Sequence, residues 1–384
     1  MALSEVQNNN KLTLYTQQIN REYVRENLFS PYMGESITAI IRVRNELKKG
    51  GEQMNIPLVS RLRAVGRSTG KLVDNEEAID DYGYRLYVDF ARNAVKTNKY
   101  QQQIDSADSF GEAKPLLSDW GKELQRDEII EALMAIPVEA APAGLASDNG
   151  QRVNGLLWEA GSAAQRNTWV TDNADRVLFG ATKANYSTTF LTAINTLDTT
   201  TDLLSGKALS LMKYIAKQAN PRIRPFKIED GREYFVAFVD GLCFRDLKED
   251  LKLVNKDARP REGRGMNDNP IFQDGDLVYD GVIAREIPDI DPYVTAGGPW
   301  NANLTNGSAV LAHPVFLCGQ SAVAMGWGQM ARPTFLKEDD YQFVTGSGIE
   351  MCYGVGKVFK KHPKTTSVLK QWGVVTGFFA ASAI

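Results

Sequence analysis

Residues 56–96 read IPLVSRLRAVGRSTGKLVDNEEAIDDYGYRLYVDFARNAVK. The second half alternates. Tyr84, Leu86, Val88 and Phe90 fall on one face, and Arg85, Tyr87 and Asp89 on the other, the period-two pattern of a half-buried strand. The first half alternates too but is more basic: Val59, Arg61, Arg63 and Arg67 share one parity, Leu58, Leu62 and Ala64 the other. Between them residues 66–81 hold Gly66, Gly70 and Asn75, which are loop signals. The stretch is therefore a β-hairpin with a long tip, and its charge is sorted. Arg61, Arg63, Arg67 and Lys71 come first, then Asp74, Glu76, Glu77, Asp80 and Asp81. A two-stranded hairpin is marginal alone in water and needs a surface to lie on. That surface is either its own domain or a neighbouring subunit, in which case the sorted charges set register and exclude wrong partners.

Outward from the hairpin, the chain is ordinary in composition. It has 384 residues, 43% hydrophobic and 24% charged, with a formal net charge of −3. That balance carries no electrostatic footprint of a sequence-reading nucleic-acid binder. The N-terminus lacks the basic and apolar regions of a signal peptide, and no apolar run approaches the length of a membrane span. Cys243, Cys318 and Cys352 are far apart and odd in number. They fit three buried free thiols in a reducing compartment rather than a disulfide framework or a metal motif.

The remaining elements predict an α+β fold with interleaved parts rather than a doubly wound sheet. Residues 1–50 read as an extended arm with short helical pieces at 22–28 and 37–48. Residues 110–136 hold the strongest helix: Leu116, Leu117, Trp120 and Leu124 form a stripe that Ile129, Ile130, Leu133 and Met134 extend, and Pro137 ends it. About 21 helical residues span roughly 30 Å. Residues 137–161 read as loop, 173–178 and 188–197 as helical, 205–219 as an amphipathic helix, 233–241 as a buried strand and 242–254 as a helix. Residues 277–287 read as one strand, 289–308 as a surface loop, and 309–329 as a strand and then a short helix. Strands at 350–360 and 371–381 close the chain.

No constellation carries chemistry. His313 and His362 both precede proline and share no metal spacing with the cysteines. They are read as structural or surface residues, leaving a Ser-His-Asp or Cys-His mechanism little to work with. Gly66 to Lys71 resembles a phosphate loop but has one residue too few between its glycines, and Leu72 where Ser or Thr belongs. GVGK at 354–357 lies within a strand and is no dinucleotide fingerprint. Residues 267–276 place Phe272 and Pro270 where a calcium loop needs oxygen ligands. Asp289 and Asp291 form a lone DxD, read as surface. No catalytic, cofactor or metal residue is assigned, no cofactor is expected, and the chain is read as a non-enzyme.

Four ordered stretches carry a resemblance: SPYMGESITAIIRVRNELKKGGEQMNIPLV, LVDNEEAIDDYGYRLYVDFARNAVK, ALSLMKYIAKQANPRIRPFKIEDGREYFVAFVDGLCFRDLKED and NPIFQDGDLVYDGVIAREI. Together they resemble the major capsid proteins of tailed double-stranded DNA bacteriophages, in the podovirus-type coat protein branch with a NEEA-type turn and an NPIF…YDGV-type strand. The resemblance runs from about residue 28 to the end, with residues 137–202 matching only in outline. It implies the fold shared by tailed phages and herpesviruses (Hong Kong ninety-seven type). An N-terminal arm would occupy 1–51 and an extended hairpin loop 52–97. A peripheral domain would take 98–220 and 331–384, with a spine helix at 110–136, and an axial domain 221–330. It further implies a coat subunit assembling into hexamers and pentamers of an icosahedral shell around phage DNA, in the host cytoplasm. A portal protein at one vertex, scaffold and decoration proteins, and non-specific contact with DNA are the implied partners; no membrane is implied. Arg61, Arg63, Arg67, Lys71, Asp74, Glu76, Glu77, Asp80, Asp81, Tyr84, Leu86, Val88 and Phe90 would then meet a neighbouring subunit. An encapsulin-type compartment, a minor head or decoration protein, and an unrelated hydrolase or ligand-binding protein are the alternatives.

Overall fold

The computed structural model describes residues 22–62, 64–105, 110–148, 150–229, 232–257, 277–307, 309–336, 341, 343–361 and 368–382. The chain divides into two units. The smaller comprises Met1–Asn27, Ala91–Gln125 and Met330–Met351; the larger comprises Leu28–Phe90, Arg126–Gln329 and Cys352–Ile384. The division falls inside the helix Ala113–Met134 and the strands Asp89–Asn98, Val323–Phe335 and Val344–Lys357.

In the larger unit a seven-stranded mixed sheet forms the floor. Its order is Leu277–Tyr279, Val282–Glu286, Arg232–Val239, Ala312–Cys318, Val374–Ala380 and Val177–Phe179, with Lys227–Glu229 pairing Arg232–Val239. Its central strands are apolar on both faces; every residue of Ala312–Cys318 and Val374–Ala380 is buried, as two-sided coverage requires. Helix Gly206–Gln218 starts where the Ser205 hydroxyl accepts from the Ala208 N–H (3.3 Å). Its Leu209, Met212, Ile215 and Ala216 stripe packs on the sheet beside Phe244, Leu247 and Leu251 of helix Gly241–Asp257. A separate aromatic cluster joins Trp158, Trp169, Phe179, Phe190 and Phe378.

In the smaller unit the strand segments 330–335, 344–351 and 91–98 run side by side in that order. Helix Lys99–Ile104 is capped by Asn98, whose side chain accepts from the Gln101 N–H (2.8 Å), and Gln102 Nε2 donates to Thr345 Oγ1 (3.1 Å).

Several expectations hold. The long helix runs Ala113–Met134, the amphipathic helix Gly206–Gln218, and the helix of residues 190–195 lies inside the expected 188–197. The three cysteines are free and buried. Others are corrected. Residues 22–27 carry no helix. Residues 37–48 hold the strand Ile41–Arg44 and the 3-10 turn Glu46–Lys49 instead of a helix, because Ile41–Arg44 pairs in parallel with Val323–Gly326. The helix placed at 173–178 lies upstream at Ala163–Asp172, where Ser162 and Gln165 form a capping box. Asn173 then ends it, donating to Trp169 O (2.9 Å) and accepting from Gln371 N (2.9 Å). Residues 277–287 are two antiparallel strands around Asp280–Gly281, both at positive φ, a hairpin turn that the Asp-Gly pair signals. Both parts of 309–329 are strands, Ala312–Cys318 and the start of Val323–Phe335. Residues 289–308 are not a surface loop: Ile290, Val294, Trp300 and Leu304 are buried along short helices. Proline and glycine there shape tight turns between buried anchors rather than an exposed excursion.

Candidate assembly interface

The hairpin neck consists of Gln53–Val59 and Asp81–Tyr87, paired from Gln53↔Tyr87 to Val59↔Asp81. Alternation sends Met54, Ile56, Leu58, Tyr84 and Leu86 inward. They pack with Leu47, Val88, Ala324, Cys352, Val358 and Phe359 of the same chain, and the Tyr84 and Phe359 rings meet edge to face at 5.1 Å. The neck can lie this close because the strand beneath it carries glycines. A Cβ at Gly354 would collide with the Tyr87 carbonyl, and one at Gly356 with the Tyr84 hydroxyl. The GVGK run is thus a seat for the hairpin.

Two polar fastenings hold the neck at its ends. Near the base, the Asn154 amide grips the Tyr87 backbone both ways: Tyr87 N donates to Oδ1 (2.8 Å) and Nδ2 donates to Tyr87 O (2.9 Å). At the mouth of the loop, Lys360 Nζ donates to Asp80 Oδ2 (2.5 Å), Asp80 O (3.2 Å) and the Ser60 hydroxyl. Burying each large apolar side chain is worth about 1.5–3 kcal/mol, against about 0.2–1 kcal/mol for an exposed charge pair. Apolar burial therefore holds the neck, and the polar contacts fix its direction.

Beyond Val59 and Asp81 the strands stop, so the loop begins earlier than expected and Arg61 lies in it rather than in a strand. Apart from Arg63, which lies outside the described residues, residues 60–80 are described. Glu77 accepts the Ala64 N–H (2.7 Å), Arg67 donates to Asn75 Oδ1 (2.6 Å), and Asn75 N donates to Leu72 O (3.0 Å). No helix follows the Gly66–Lys71 run, which excludes a phosphate loop there. Leu62, Val65, Leu72, Val73 and Ile79 are exposed, Val65 to 92%.

The structure divides the residues predicted to meet a neighbour. Arg61, Arg67, Lys71, Asp74, Glu76, Glu77 and Asp81 are exposed in the loop or at its mouth. Asp80 is bound to Lys360. Phe90 remains 53% exposed. Tyr84, Leu86 and Val88 are a correction: Leu86 has no exposed surface, and all three lie in the chain's own core. Alternation revealed a buried face without revealing what buries it.

One constellation escaped sequence reasoning. Asp240 ends the strand Arg232–Val239 and caps the helix Gly241–Asp257, accepting from the Cys243 N–H (3.3 Å). His313, on the neighbouring strand, places Nδ1 against Asp240 Oδ2. Asp291 Oδ2 accepts the Gly241 N–H (3.2 Å). Asp240, Cys243 and His313 are all buried, with ligand-type atoms within 4.8 Å of one another. Hydrogen bonds join these groups: Asp240 accepts from a backbone N–H and faces the His313 ring nitrogen, and Asp291 Oδ2 accepts from a second backbone N–H. The set is a hydrogen-bonded cluster. Burial and the facing Asp240 push the Asp291 carboxyl up to about 7; burial opposes a charged His313, but Asp240 raises it above its ordinary value. The only local signal was an Asp before an apolar helix; the partners are 73 residues apart in sequence for Asp240 and His313. Asp289, half of the DxD, pairs with Arg126 at 3.3 Å. The stretch 267–276 and His362 lie outside the described residues.

The chain matches the family model described as phage capsid protein over residues 5–377. Among solved structures, it is 31% identical to the capsid of cyanophage Pam1, with a TM-score of 0.84 and 100% of each chain covered. Ralstonia phage GP4 capsid superposes at a TM-score of 0.66 with 16% identity, covering 97% of this chain and 96% of that one. The capsid of Helicobacter pylori bacteriophage KHP30 gives 0.66 with 13% identity and the same coverage. No curated protein matches the chain.

Proposed function

Because the chain belongs to the phage capsid protein family, we propose that it joins its neighbours through the loop at residues 60–80, while the hairpin neck stays on its own subunit. The chain is a phage major capsid subunit with the α+β fold of tailed-phage heads, a structural protein that self-assembles into the shell. The compartment, decoration-protein and enzyme readings are not favoured by this kinship.

The observation that carries the proposal is the contrast within one hairpin. Its neck is buried and fastened at both ends, yet its loop presents Leu62, Val65, Leu72, Val73 and Ile79 to solvent. An exposed apolar group of that kind marks an interaction surface. Burial against a neighbouring copy supplies the affinity, and the sorted charges of Arg61, Arg63, Arg67 and Lys71 against Asp74, Glu76 and Glu77 choose the register. Each contact can be weak, because a closed lattice repeats it around every ring.

The finer assignments extend from the same kinship. Residues 52–97 act as the extended loop, 98–220 with 331–384 as the peripheral domain, and 221–330 as the axial domain. Hexamers and pentamers close an icosahedral shell around double-stranded DNA in the bacterial cytoplasm, with a portal protein at one vertex and scaffold or decoration proteins as helpers. A near-neutral lining lets DNA slide, since each phosphate contact would add grip.

The test replaces Arg61, Arg63 and Arg67 together by Glu. Circular dichroism should report a folded subunit, and negative-stain microscopy should show no shells. The double variant Arg61→Glu/Arg63→Glu keeps the Arg67–Asn75 bond and should fail in the same way. Normal particles from either variant would overturn the assignment of this loop.

A further inference from the structure

The cluster around the N-terminus of helix Gly241–Asp257 is built from four separate stretches of chain. Asp240 ends the central strand Arg232–Val239, Cys243 lies in the first helical turn, Asp291 opens the short helix Asp291–Val294, and His313 sits on Ala312–Cys318. Asp240, Cys243 and His313 are sealed from solvent. The packing is tight: a Cβ at Gly241 would come within 2.7 Å of Asp291 Oδ2. Asp291 Oδ1 is buried and has no hydrogen-bond donor among the described residues.

The charges do not balance without protons. Two carboxylates, Asp240 and Asp291, face one imidazole, and an isolated buried carboxylate is too costly to keep ionised. The surrounding charges are already engaged. Asp246 lies behind Cys243 and accepts from the Ser382 N–H (2.8 Å), with Arg245 at 3.5 Å. Glu286 comes near Gly241 from strand Val282–Glu286 and pairs with Lys248 at 3.7 Å. The strand on the far side, Val374–Ala380, sets Phe379 opposite His313 and brings no charge.

We propose that His313 and Asp291 each hold a proton, so that an imidazolium and a neutral carboxyl stand beside Asp240, and that this lock ties the helix N-terminus to strand Ala312–Cys318 and to the short helix Asp291–Val294. The protons come from solvent and return to it; no other group is consumed. With both in place the three groups carry no net charge beyond that of one carboxylate and one imidazolium, and the carboxylate is further offset by backbone N–H donors at the helix N-terminus. When the Asp291 proton leaves, its carboxylate meets the negative Asp240 in a dry site. The lock therefore loosens as pH rises.

The sign follows from the direction of the shifts. Asp291 holds its proton more tightly folded than unfolded, so its contribution is complete below about pH 4 and is lost as pH rises towards about 7. His313, also raised, adds to the loss above pH 6.5. These groups titrate as a set, so one apparent transition is expected.

The test follows the melting temperature of the unassembled full chain from pH 5 to pH 7. The wild type should fall across that window by more than Asp291→Asn does, with a difference of about 3 °C or more. Asp291→Asn keeps the Gly241 contact and can donate to Asp240 without titrating. A slope unchanged in Asp291→Asn would overturn the proposal. The second measurement needs no variant. The chain has two histidines, so histidine-selective carbon-13 spectra resolve them; His313 should stay imidazolium to higher pH than a model histidine. A neutral His313 at pH 6, or stoichiometric zinc surviving chelation, would equally overturn it.

Discussion

Lys357 is a lysine enclosed in the core. It is 3% exposed, and its ammonium donates to the Leu133 carbonyl (2.9 Å) and faces the Trp169 ring at 5.6 Å. The Gln371 amide completes its shell once its oxygen faces both Lys357 Nζ (3.1 Å) and Trp169 Nε1. Desolvation lowers its pKa to about 7. A lowered lysine binds its proton less tightly folded than unfolded, so folding releases a proton between about pH 7 and 10.5 and stability rises with pH there. The melting temperature should climb by about 5 °C from pH 7 to 9.5. In Lys357→Met that climb should vanish. The proton lock acts below this window, so scanning calorimetry can separate the two. Sequence could not single out this lysine, which differs from forty-three other basic residues only in what encloses it.

At the scale of elements, the hairpin is set by a few positions outside it. Asn154→Ala removes both bonds to the Tyr87 backbone and leaves that N–H and C=O without partners, at about 1–3 kcal/mol for each group. Hydrogen exchange at Tyr87 should speed up well before global unfolding. Gly354→Ala forces a methyl group into the Tyr87 carbonyl, a clash that costs about 1–3 kcal/mol or more. It should lower the melting temperature and admit protease to residues 60–80. Alternation showed the neck strands in the sequence, and their inward face is the one expected. It could not show that Tyr84, Leu86 and Val88 are covered by Ala324, Cys352 and Phe359, hundreds of residues away. Other elements were legible in motifs left unused: the Asp280–Gly281 turn and the Ser162–Gln165 capping box each announce a boundary locally.

For the whole molecule, the contrast between sealed interior and exposed loop is what assembly draws on. Cys243, Cys318 and Cys352 are all buried, and burial pushes each thiol up. A thiol reagent should therefore label none of the three in native subunits or shells within minutes, and all three after denaturation. Reductant should leave shell stability unchanged. Shell formation itself should weaken as salt rises if the loop charges choose register, since exposed charges are screened over about 8–10 Å at ordinary ionic strength. Turbidity or light scattering of assembling subunits measures this directly.

The sequence by itself determined the alternating hairpin, the long helix, the α+β order and the absence of any catalytic spacing. Those properties rest on periodicity, proline and glycine positions and composition, all of which act over a few residues. Only the tertiary structure decided which apolar faces are spent inside the subunit and which remain for a neighbour. It also drew Asp240, Asp291 and His313 into one dry cluster, enclosed Lys357, and seated residues 289–308 in the interior. Burial and electrostatic coupling depend on proximity in space, and strand pairing brings together residues that no local pattern relates.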